Sequence, residues 1–491
     1  MTDQLPALQV VVPLLAAPVC LLIRHAGTVR IFAILTSWIV LGISLLLLDN
    51  VEANGTISYA MGQWAPPLGI EYRIDILNVY VLVVVASVSA VILPFGMGSA
   101  EERVPKERYY LYYAAFLLCI AGLMGISITG DAFNLFVFIE ITSLAIYSLV
   151  SLGPQRRALI AGFSYLIMGT IGGTFILIGI GMMYQMTGTL NMADLAQRLP
   201  AVIETRTIWM AFAFLVVGTS IKLAVFPLHQ WLPNAYTYAP SAVSAFLAAT
   251  VTKVFYYVLV RIIFTIFGAA FVFDKIQLQY ILLPLSILAM FVGSIAAVFQ
   301  HNIKRLLAYS SIAQIGYMTL GLSYANVEGL TGGLVHIFNH AMMKGGLFLV
   351  VACVTYRIGS SELKNMQGLG RHMPLTMAAF VIGGISLAGV PGTVGFISKW
   401  YLVLGAMKNE WYIVAVLILM SSFIAFVYIW REVEIVYFQE REDTTPVQEA
   451  PLRHLIPTWI LIGGSIYFGF ASELTAGVAG RAARYLMGVG P

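Results

Sequence analysis

Residues 208–267 read IWMAFAFLVVGTSIKLAVFPLHQWLPNAYTYAPSAVSAFLAATVTKVFYYVLVRIIFTIF. This stretch holds two apolar segments that are each long enough to cross a membrane, and each carries one lysine, Lys222 or Lys253, inside its apolar run. An ammonium group near the centre of a bilayer costs roughly 2.5 to 3.5 kcal/mol on insertion scales, so it persists only where protein or water solvates it. We therefore expect both lysines to point inward, toward polar surroundings.

A proline interrupts the first of these segments. Pro227 follows Lys222 by five residues, and proline both lacks a backbone N–H and clashes with the carbonyl group one turn earlier. The sequence therefore predicts a helix break in the middle of the membrane, which is tolerated only against protein or a wet cavity. Because transporters build ion sites from broken helices, the stretch indicates a protein that moves ions.

The composition places the whole chain in a membrane. Of its 491 residues, 60% are hydrophobic and 10% are charged, with a mean hydropathy of +0.88, whereas a soluble globular protein has about 25% charged residues. This excludes a soluble protein and predicts an all-α polytopic membrane protein. The net charge of +4 is better explained by positively charged cytoplasmic loops than by binding of nucleic acid.

The three cysteines argue against metal and redox chemistry. Cys20, Cys119 and Cys353 lie inside apolar runs, with no CxxC spacing and no neighbouring cluster of histidine or cysteine. Disulfides, a zinc site and iron–sulfur ligation are therefore not expected. No cofactor is predicted.

Apolar runs of about 20 residues, separated by short polar or Gly/Pro turns, predict about fourteen transmembrane helices. Two of them, 208–236 and 375–407, are predicted to be broken. The other predicted spans are 5–23, 29–48, 74–95, 109–128, 131–150, 159–184, 241–267, 280–299, 303–323, 330–356, 411–430 and 453–473.

Basic residues favour one side of these spans by about two to one. Because cytoplasmic loops are enriched in Lys and Arg, the richer side is predicted to be cytoplasmic, and both termini are then extracytoplasmic. The poorer side includes Arg73, Arg261 and Lys275, which are interpreted as charges of loops or span ends. We expect a multi-pass protein of the inner (plasma) membrane.

Two connections hold many of the remaining polar residues. Residues 185–207 contain NMADLAQRL, which predicts a short interfacial helix. Residues 432–451 are expected to form a solvated cytoplasmic connection. Its charged residues include Glu440, Arg441, Glu442 and Asp443.

A single carboxylate lies halfway along the fifth predicted span. Glu140 has no opposite charge within four residues, and a carboxyl group at that depth must pair across helices or take up a proton. A static ion pair between Glu140 and Lys222 that locks two helices together is the structural alternative. A role in proton movement is favoured, because neighbouring spans carry further lysines without partners.

The eleventh predicted span carries three titratable residues on one face. His336, His340 and Lys344 follow each other at four-residue intervals, which places them on one helix stripe over ~12 Å. Histidine titrates near neutral pH and can pass protons between its two nitrogens, so the stripe has the form of a proton path. A metal site at His336 and His340 is a weaker interpretation, because no HExxH motif and no third ligand accompany them.

The twelfth predicted span resembles the broken seventh. Pro391 predicts a second break, and Lys399 follows it by two turns. The fourth to eighth spans therefore match the ninth to thirteenth in order, as in the inverted repeats of transporters. The predicted divisions are an N-terminal three-helix segment (1–108), a first repeat (109–267), a second repeat (268–438), and a C-terminal helix and tail (439–491).

Five segments carry a resemblance to a known family: GDAFNLFVFIEI (130–141), GTLNMADLA (188–196), IKLAVFPLHQWLPNAYTYAPSAVSA (221–245), HNIKRLLAYSSIAQIGYM (301–318) and HIFNHAMMKGGLF (336–348). They resemble the antiporter-like subunits of the complex I superfamily, and the closest likeness is to the D subunit of Mrp-type multisubunit cation/proton antiporters. Lys399 fits that subunit and also the N type of respiratory complexes, whereas the M type carries glutamate there. The chain differs from the usual FPLHxWLPDAH motif of the family at Asn234 and Tyr236, so no acid or histidine role is assigned just past the first break.

The resemblance implies roles for the buried titratable residues. It implies that Glu140 and Lys222 form a pair whose electrostatic coupling drives or gates proton movement, and that Lys253 is the central relay. His336, His340 and Lys344 would extend the path. Lys399 would mark its far end.

The resemblance also implies partners. We expect a transporter subunit rather than an enzyme, which moves protons within a hetero-oligomeric complex that exports a monovalent cation such as Na⁺. An N-type proton-pumping subunit of a respiratory NADH dehydrogenase or a membrane-bound hydrogenase is the main alternative. A passive scaffold is a third. Partners are other subunits, protons, a monovalent cation and the lipid bilayer, with no nucleic acid.

Overall fold

The computed structural model describes residues 2–99, 104–441 and 446–489, and almost all of them are helical. The exception is a hairpin of two short antiparallel strands, β1 (Ile57–Ala60) and β2 (Glu71–Ile74). The first ten helices are α1 (Leu5–Leu22), α2 (Ala26–Asn54), α3 (Ile76–Ser99), α4 (Tyr109–Ile128), α5 (Ala132–Ser151), α6 (Arg157–Thr187), α7 (Met192–Arg198), α8 (Arg206–Leu223), α9 (Trp231–Tyr238) and α10 (Ser241–Val260). The others are α11 (Gln279–Val298), α12 (Ile303–Ser323), α13 (Val327–Ile358), α14 (Leu369–His372), α15 (Pro374–Ala388), α16 (Val394–Lys408), α17 (Tyr412–Phe438), α18 (Leu452–Phe470) and α19 (Val478–Leu486).

The prediction of an all-α, multi-span membrane fold is confirmed. Within the described ranges, eleven helices are long and apolar enough to span a membrane, and a twelfth span is obtained if the pair Leu452–Phe470 and Thr475–Leu486, bent by 70°, is counted as one. The two remaining predicted spans are also helical. One is α12, which is rich in polar residues, and the other consists of α15 and α16, at 15 residues each. The count of fourteen spans remains a prediction.

Both predicted breaks coincide with interruptions of the helix. α8 ends at Leu223, and Ala224 adopts a left-handed conformation (φ +63°), which is uncommon for a residue with a side chain. The Nε1 group of Trp231, at the start of α9, donates to the Ile221 carbonyl oxygen at 2.9 Å. Pro227 lies in the loop between the two helices. The Ile221 carbonyl group, which also accepts from the Ala224 N–H at 3.2 Å, thus gains a second donor at the break.

At the second break, a glycine takes the left-handed conformation that Ala224 adopts at the first. α15 ends at Ala388, Gly389 takes the left-handed conformation (φ +86°) that glycine adopts without strain, and α16 begins at Val394. Pro391 lies between the two helices. The chain therefore interrupts its helical hydrogen bonding twice within apolar segments that are predicted to span the membrane.

Two helices form the centre of the bundle. Every residue of α10 is buried, and 89% of the apolar window of α13 is buried, so neither helix has a face left for lipid. α10 packs against α13, and α12 packs against both. Ionisable residues on these helices are therefore surrounded by protein.

Two segments quoted in the sequence analysis, 130–141 and 188–196, meet at one end of the bundle. The Ala132 N–H donates to the Leu190 carbonyl and the Met192 N–H donates to the Gly130 carbonyl, both at 2.8 Å. The segment NMADLAQRL contains α7, so its prediction as a short helix is confirmed. The loop before α5 and the loop before α7 are thus joined by backbone hydrogen bonds.

The expected connection at 432–451 is partly wrong. α17 continues to Phe438, and Glu432 is completely buried rather than solvated. The apolar pattern weakens at Arg431, but the helix continues because its buried face packs against α15 and α14. The predicted loop charges Glu442 and Asp443 lie outside the described residues.

Candidate functional site

Glu140 and Lys222 form an ion pair between α5 and α8. The Lys222 Nζ lies 3.4 Å from Glu140 Oε1 and donates to Ser143 Oγ at 2.6 Å. The Lys222 side chain is fully buried, whereas 29% of the Glu140 side chain is exposed at the flank of the chain. Lys222 lies in the last turn of α8, where the helix dipole favours a positive charge.

Lys253 is buried and forms no ion pair with a carboxylate among the described residues. Its Nζ donates to the Ala248 carbonyl oxygen and, at 3.4 Å, to Thr252 Oγ1, and both acceptors belong to its own helix. An ammonium group carries three donors. The surroundings of Lys253 therefore provide fewer good acceptors than a permanent charge requires.

The α13 stripe faces polar groups of two neighbouring helices. His336 Nδ1 lies 2.7 Å from Ser398 Oγ on α16, and the His336 and His340 rings are 5.5 Å apart at 19°. The Lys344 Nζ donates to the Leu307 carbonyl oxygen at 2.8 Å and to Ser310 Oγ, both on α12. All three titratable residues of the stripe are fully buried.

Lys399 reaches back to the second helix break. Its Nζ donates to the carbonyl oxygens of Leu387 (3.2 Å) and Ala388 (2.8 Å), the last two residues of α15, and lies 5.0 Å from the ring centroid of Tyr317. Carbonyl groups at a helix C-terminus and an aromatic face both stabilise a cation. The ammonium groups of Lys222 and Lys399 thus each lie at the C-terminal end of the first half of an interrupted helix, although Lys399 itself belongs to α16.

The structure brings most of the predicted residues into one group. Electrostatic interactions connect Lys253 with all three residues of the α13 stripe. Lys399 interacts with His336 in the same way. The Glu140–Lys222 pair forms a second group, and its helix α8 packs directly against α10.

Several buried polar atoms along this group have no protein partner in the described part of the chain. Both nitrogens of His340, both amide atoms of Gln314 and the Asn339 Oδ1 form no hydrogen bond. Buried polar atoms are normally satisfied by protein or by ordered water. These atoms therefore favour a polar, hydratable route over a dry core.

Among the described residues, no group of three or more His, Cys, Asp or Glu side chains is arranged to hold a metal ion. The His336–His340 pair therefore has no third ligand of these types within the same ranges. The hydroxyl group of Ser398, which contacts His336, is a weak ligand by comparison.

A buried ion pair at the β-hairpin end of the bundle was not predicted from the sequence. Arg261 was interpreted as a loop or span-end charge, but it is buried, and its Nη2 donates to Asp75 Oδ1 at 2.5 Å and to Asn78 Oδ1 at 2.6 Å. Tyr257 lies under the guanidinium group at 5.2 Å. The four-residue spacing of Lys253, Tyr257 and Arg261 was a signal for this cluster, because it places them on one helix face.

Asp75 lies one residue before α3 and caps it by accepting from the N–H groups of Leu77 and Asn78. Burial alone raises the pKa of the Asp75 carboxyl group, but the charge of Arg261 and the hydrogen bonds outweigh burial and hold the pKa below its usual value. The pair borders a cavity of about 390 Å³ that Arg73 and Thr129 also line.

Comparison with known proteins identifies the family of this chain. Residues 129–425 match the family "NADH:quinone oxidoreductase/Mrp antiporter, TM". The chain is 40% identical to the N subunit of the NADH-quinone oxidoreductase of Desulforudis audaxviator, over 96% of this chain and 97% of the relative. It is 31% identical to the D subunit of the Na⁺/H⁺ antiporter of Alkalihalophilus pseudofirmus, over 96% and 94%.

The fold matches a solved structure over its full length. A chain of the Mrp complex from Dietzia superposes with a TM-score of 0.91 at 24% identity, covering 99% of this chain and 97% of the other. The family match extends over more than half of the chain and includes both helix breaks. The chain therefore belongs to the family of antiporter-like membrane subunits that NADH:quinone oxidoreductases and Mrp antiporters share.

Proposed function

We propose that this chain is the proton-translocating subunit of a multisubunit monovalent cation/proton antiporter, with Na⁺ as the exported cation. The observation that carries the proposal is the interacting group of Lys253, His336, His340, Lys344 and Lys399, which is enclosed by protein in an otherwise apolar bundle. Groups that can bind and release protons follow one another through this interior. The similarity to the D subunit of a Na⁺/H⁺ antiporter supports the same function.

In this proposal the Glu140–Lys222 pair acts as an electrostatic switch. Two unit charges at ~4 Å interact by about 4 kcal/mol at an effective dielectric constant of ~20, which changes the occupancy of a proton site by several hundredfold. A proton that arrives beside Lys222 weakens its attraction to Glu140. Lys253, on the helix packed against α8, then experiences a changed field.

We further propose that residues 109–267 and 268–438 are inverted repeats, between an N-terminal segment (1–108) and a C-terminal helix and tail (439–491). In support, each repeat contains one interrupted helix, and the ammonium group of a lysine lies at the C-terminal end of its first half: Lys222 belongs to that half, whereas Lys399 reaches it from the second half. The charge distribution supports a plasma-membrane orientation with both termini extracytoplasmic.

A second candidate is an N-type proton-pumping subunit of a redox-driven complex. The 40% identity to the N subunit of an NADH-quinone oxidoreductase favours it. The buried group of lysines and histidines would move protons in the same way in such a complex, but the energy would come from electron transfer in other subunits. The two candidates therefore differ in the partners of this chain, not in its own site.

The proposal is tested by replacing Lys222 or Glu140 by alanine in the complete complex. We expect Lys222→Ala and Glu140→Ala to abolish cation/proton exchange in everted vesicles, because each removes one charge of the switch. Exchange is measured as the collapse of a proton gradient on addition of Na⁺, and assembly by native electrophoresis.

Lys275→Ala serves as the control, because Lys275 is an exposed lysine in a surface ion pair with Glu204. It should exchange at the wild-type rate. Full activity in an assembled Lys222→Ala complex would reject the proposed function.

A further inference from the structure

Glu432 is a buried carboxyl group that the site described above does not use. It lies on α17 with no exposed surface, and neither carboxylate oxygen has a hydrogen-bond partner among the described residues. The adjacent Arg431 instead donates to the carbonyl oxygens of Val298 and Gln300. Leaving a buried polar group without a partner destabilises the folded protein, and a charged group does so more strongly. A purely space-filling role therefore does not explain a glutamate at this position.

Two hydroxyl groups, those of Tyr428 on α17 and Ser310 on α12, form a row that ends at Lys344 of the α13 stripe. Tyr428 precedes Glu432 by four residues and so shares its helix face. The Tyr428 hydroxyl is buried beside Ser310 without forming a well-aligned hydrogen bond. Ser310 Oγ accepts a hydrogen bond from Lys344 Nζ. Glu432 and Tyr428 thus share one face of α17, and from Tyr428 the row continues through Ser310 of α12 to Lys344 of α13.

In the opposite direction, Glu432 faces the end of the bundle that we propose to be cytoplasmic. A cavity of about 380 Å³ lies there and is lined by residues that include Ile435 and Gln439, three and seven positions after Glu432 on the same side of the chain. His301 and Lys364 add titratable groups to the cavity wall. Glu432 therefore lies between a polar cavity and the first hydroxyl of the row.

We propose that Glu432 passes protons between this cavity and Lys344. The inference rests on the proposed function, because Lys344 must accept protons for the route to matter. The Glu432 carboxyl group gives its proton, through a bridging water molecule, to the Tyr428 oxygen as the Tyr428 hydroxyl hydrogen moves to Ser310, and the Ser310 hydrogen moves to the Lys344 amine. The products are a Lys344 ammonium group and a Glu432 carboxylate, which takes up a proton from water in the cavity.

The test is Glu432→Gln, which keeps the size of the side chain but removes the exchangeable carboxyl proton. In everted vesicles that contain the complete complex, we expect exchange at least tenfold slower than wild type, with partial recovery in Glu432→Asp. Glu440→Gln changes an exposed glutamate just beyond the same helix and should leave the rate unchanged. A wild-type rate in an assembled Glu432→Gln complex overturns the proposal.

A second measurement, on the wild-type complex, tests the proposal even if the Glu432→Gln complex fails to assemble. Dicyclohexylcarbodiimide modifies protonated carboxyl groups in apolar surroundings, and mass spectrometry of the wild-type chain locates the modified residue. Modification of Glu432 together with loss of exchange supports the route. Modification without loss of exchange, or no modification of Glu432, overturns it.

The two proposals fail separately. If Lys222→Ala abolishes exchange while Glu432→Gln does not, the proton-translocating function stands and the entry route is wrong. If Lys222→Ala exchanges normally, the function itself is rejected, whatever Glu432→Gln does.

Discussion

Asp75 and Arg261 show how a buried charge is tolerated in this fold. Each satisfies the other at 2.5 Å, and Asn78 supplies a further acceptor. Removing one partner of a buried pair typically costs 3–5 kcal/mol, because the other charge is left uncompensated. We therefore expect Asp75→Ala to lower the free energy of unfolding by about that amount, measured as a lower thermal midpoint of the purified complex.

Two comparisons make this prediction specific. Asp75→Ala combined with Arg261→Met removes both charges and should recover much of the loss. Arg198→Ala breaks an exposed pair with Asp194 and should cost less than about 1 kcal/mol.

Because the folded protein lowers the pKa of Asp75, the stabilisation by the Asp75–Arg261 pair is present above about pH 4 and is lost as the pH falls through the lowered pKa. Equal losses in Asp75→Ala and Arg198→Ala would contradict the assignment.

The titratable residues of the site were predictable one by one, but their contacts were not. Lys222, Lys253 and Lys399 attract notice because a charge inside an apolar run is costly wherever it occurs. Their partners are ordinary serines and backbone carbonyl groups on distant helices, such as Ser143 and Leu387. Nothing in the local sequence distinguishes those partners from dozens of similar residues.

At the scale of the helix, the breaks depend on side-chain donors. Trp231 donates to the Ile221 carbonyl oxygen and stacks on Tyr165 at 4.0 Å. Trp231→Phe keeps an aromatic ring but removes one of the two donors to this carbonyl oxygen, because the Ala224 N–H also donates to it at 3.2 Å. The loss of one such hydrogen bond costs about 0.5–1.5 kcal/mol. We expect a lower thermal midpoint and slower exchange, since Lys222 follows Ile221 directly.

Trp209→Phe is the matched control on α8, the helix that Trp231 caps. Its Nε1 donates to the Ile203 carbonyl oxygen, but its side chain is partly exposed, so water can replace the bond. The loss should be clearly smaller than for Trp231→Phe. Equal effects of the two variants would show that the Trp231 hydrogen bond does not support the break.

Helix interruptions could be predicted from Pro227 and Pro391 because the effect of proline is local. The end of α17 could not. The sequence around Arg431 and Glu432 has the charge density of a loop, yet the helix continues to Phe438 because contacts with distant segments cover one of its faces. The Gly368 N–H, for example, donates to the Ile435 carbonyl oxygen. Such contacts belong to the tertiary structure and leave no local pattern.

At the scale of the whole molecule, the fold class followed from composition, whereas the assembly does not follow from this chain. A mildly solubilised complex identified by mass spectrometry separates the two candidate functions. For the proposed antiporter we expect this chain to copurify only with other membrane subunits. Copurification with iron–sulfur or other redox subunits would instead establish the redox-driven alternative, which the N-type relative represents.

The two interrupted helices give the molecule an electrical asymmetry. Lys222 is held by a full negative charge, that of Glu140, whereas Lys399 touches peptide carbonyls and an aromatic ring. A unit charge attracts a cation more strongly than partial charges at a similar distance. If protons move through this chain as proposed, an added positive charge is therefore held more strongly beside Glu140 than beside the second helix break.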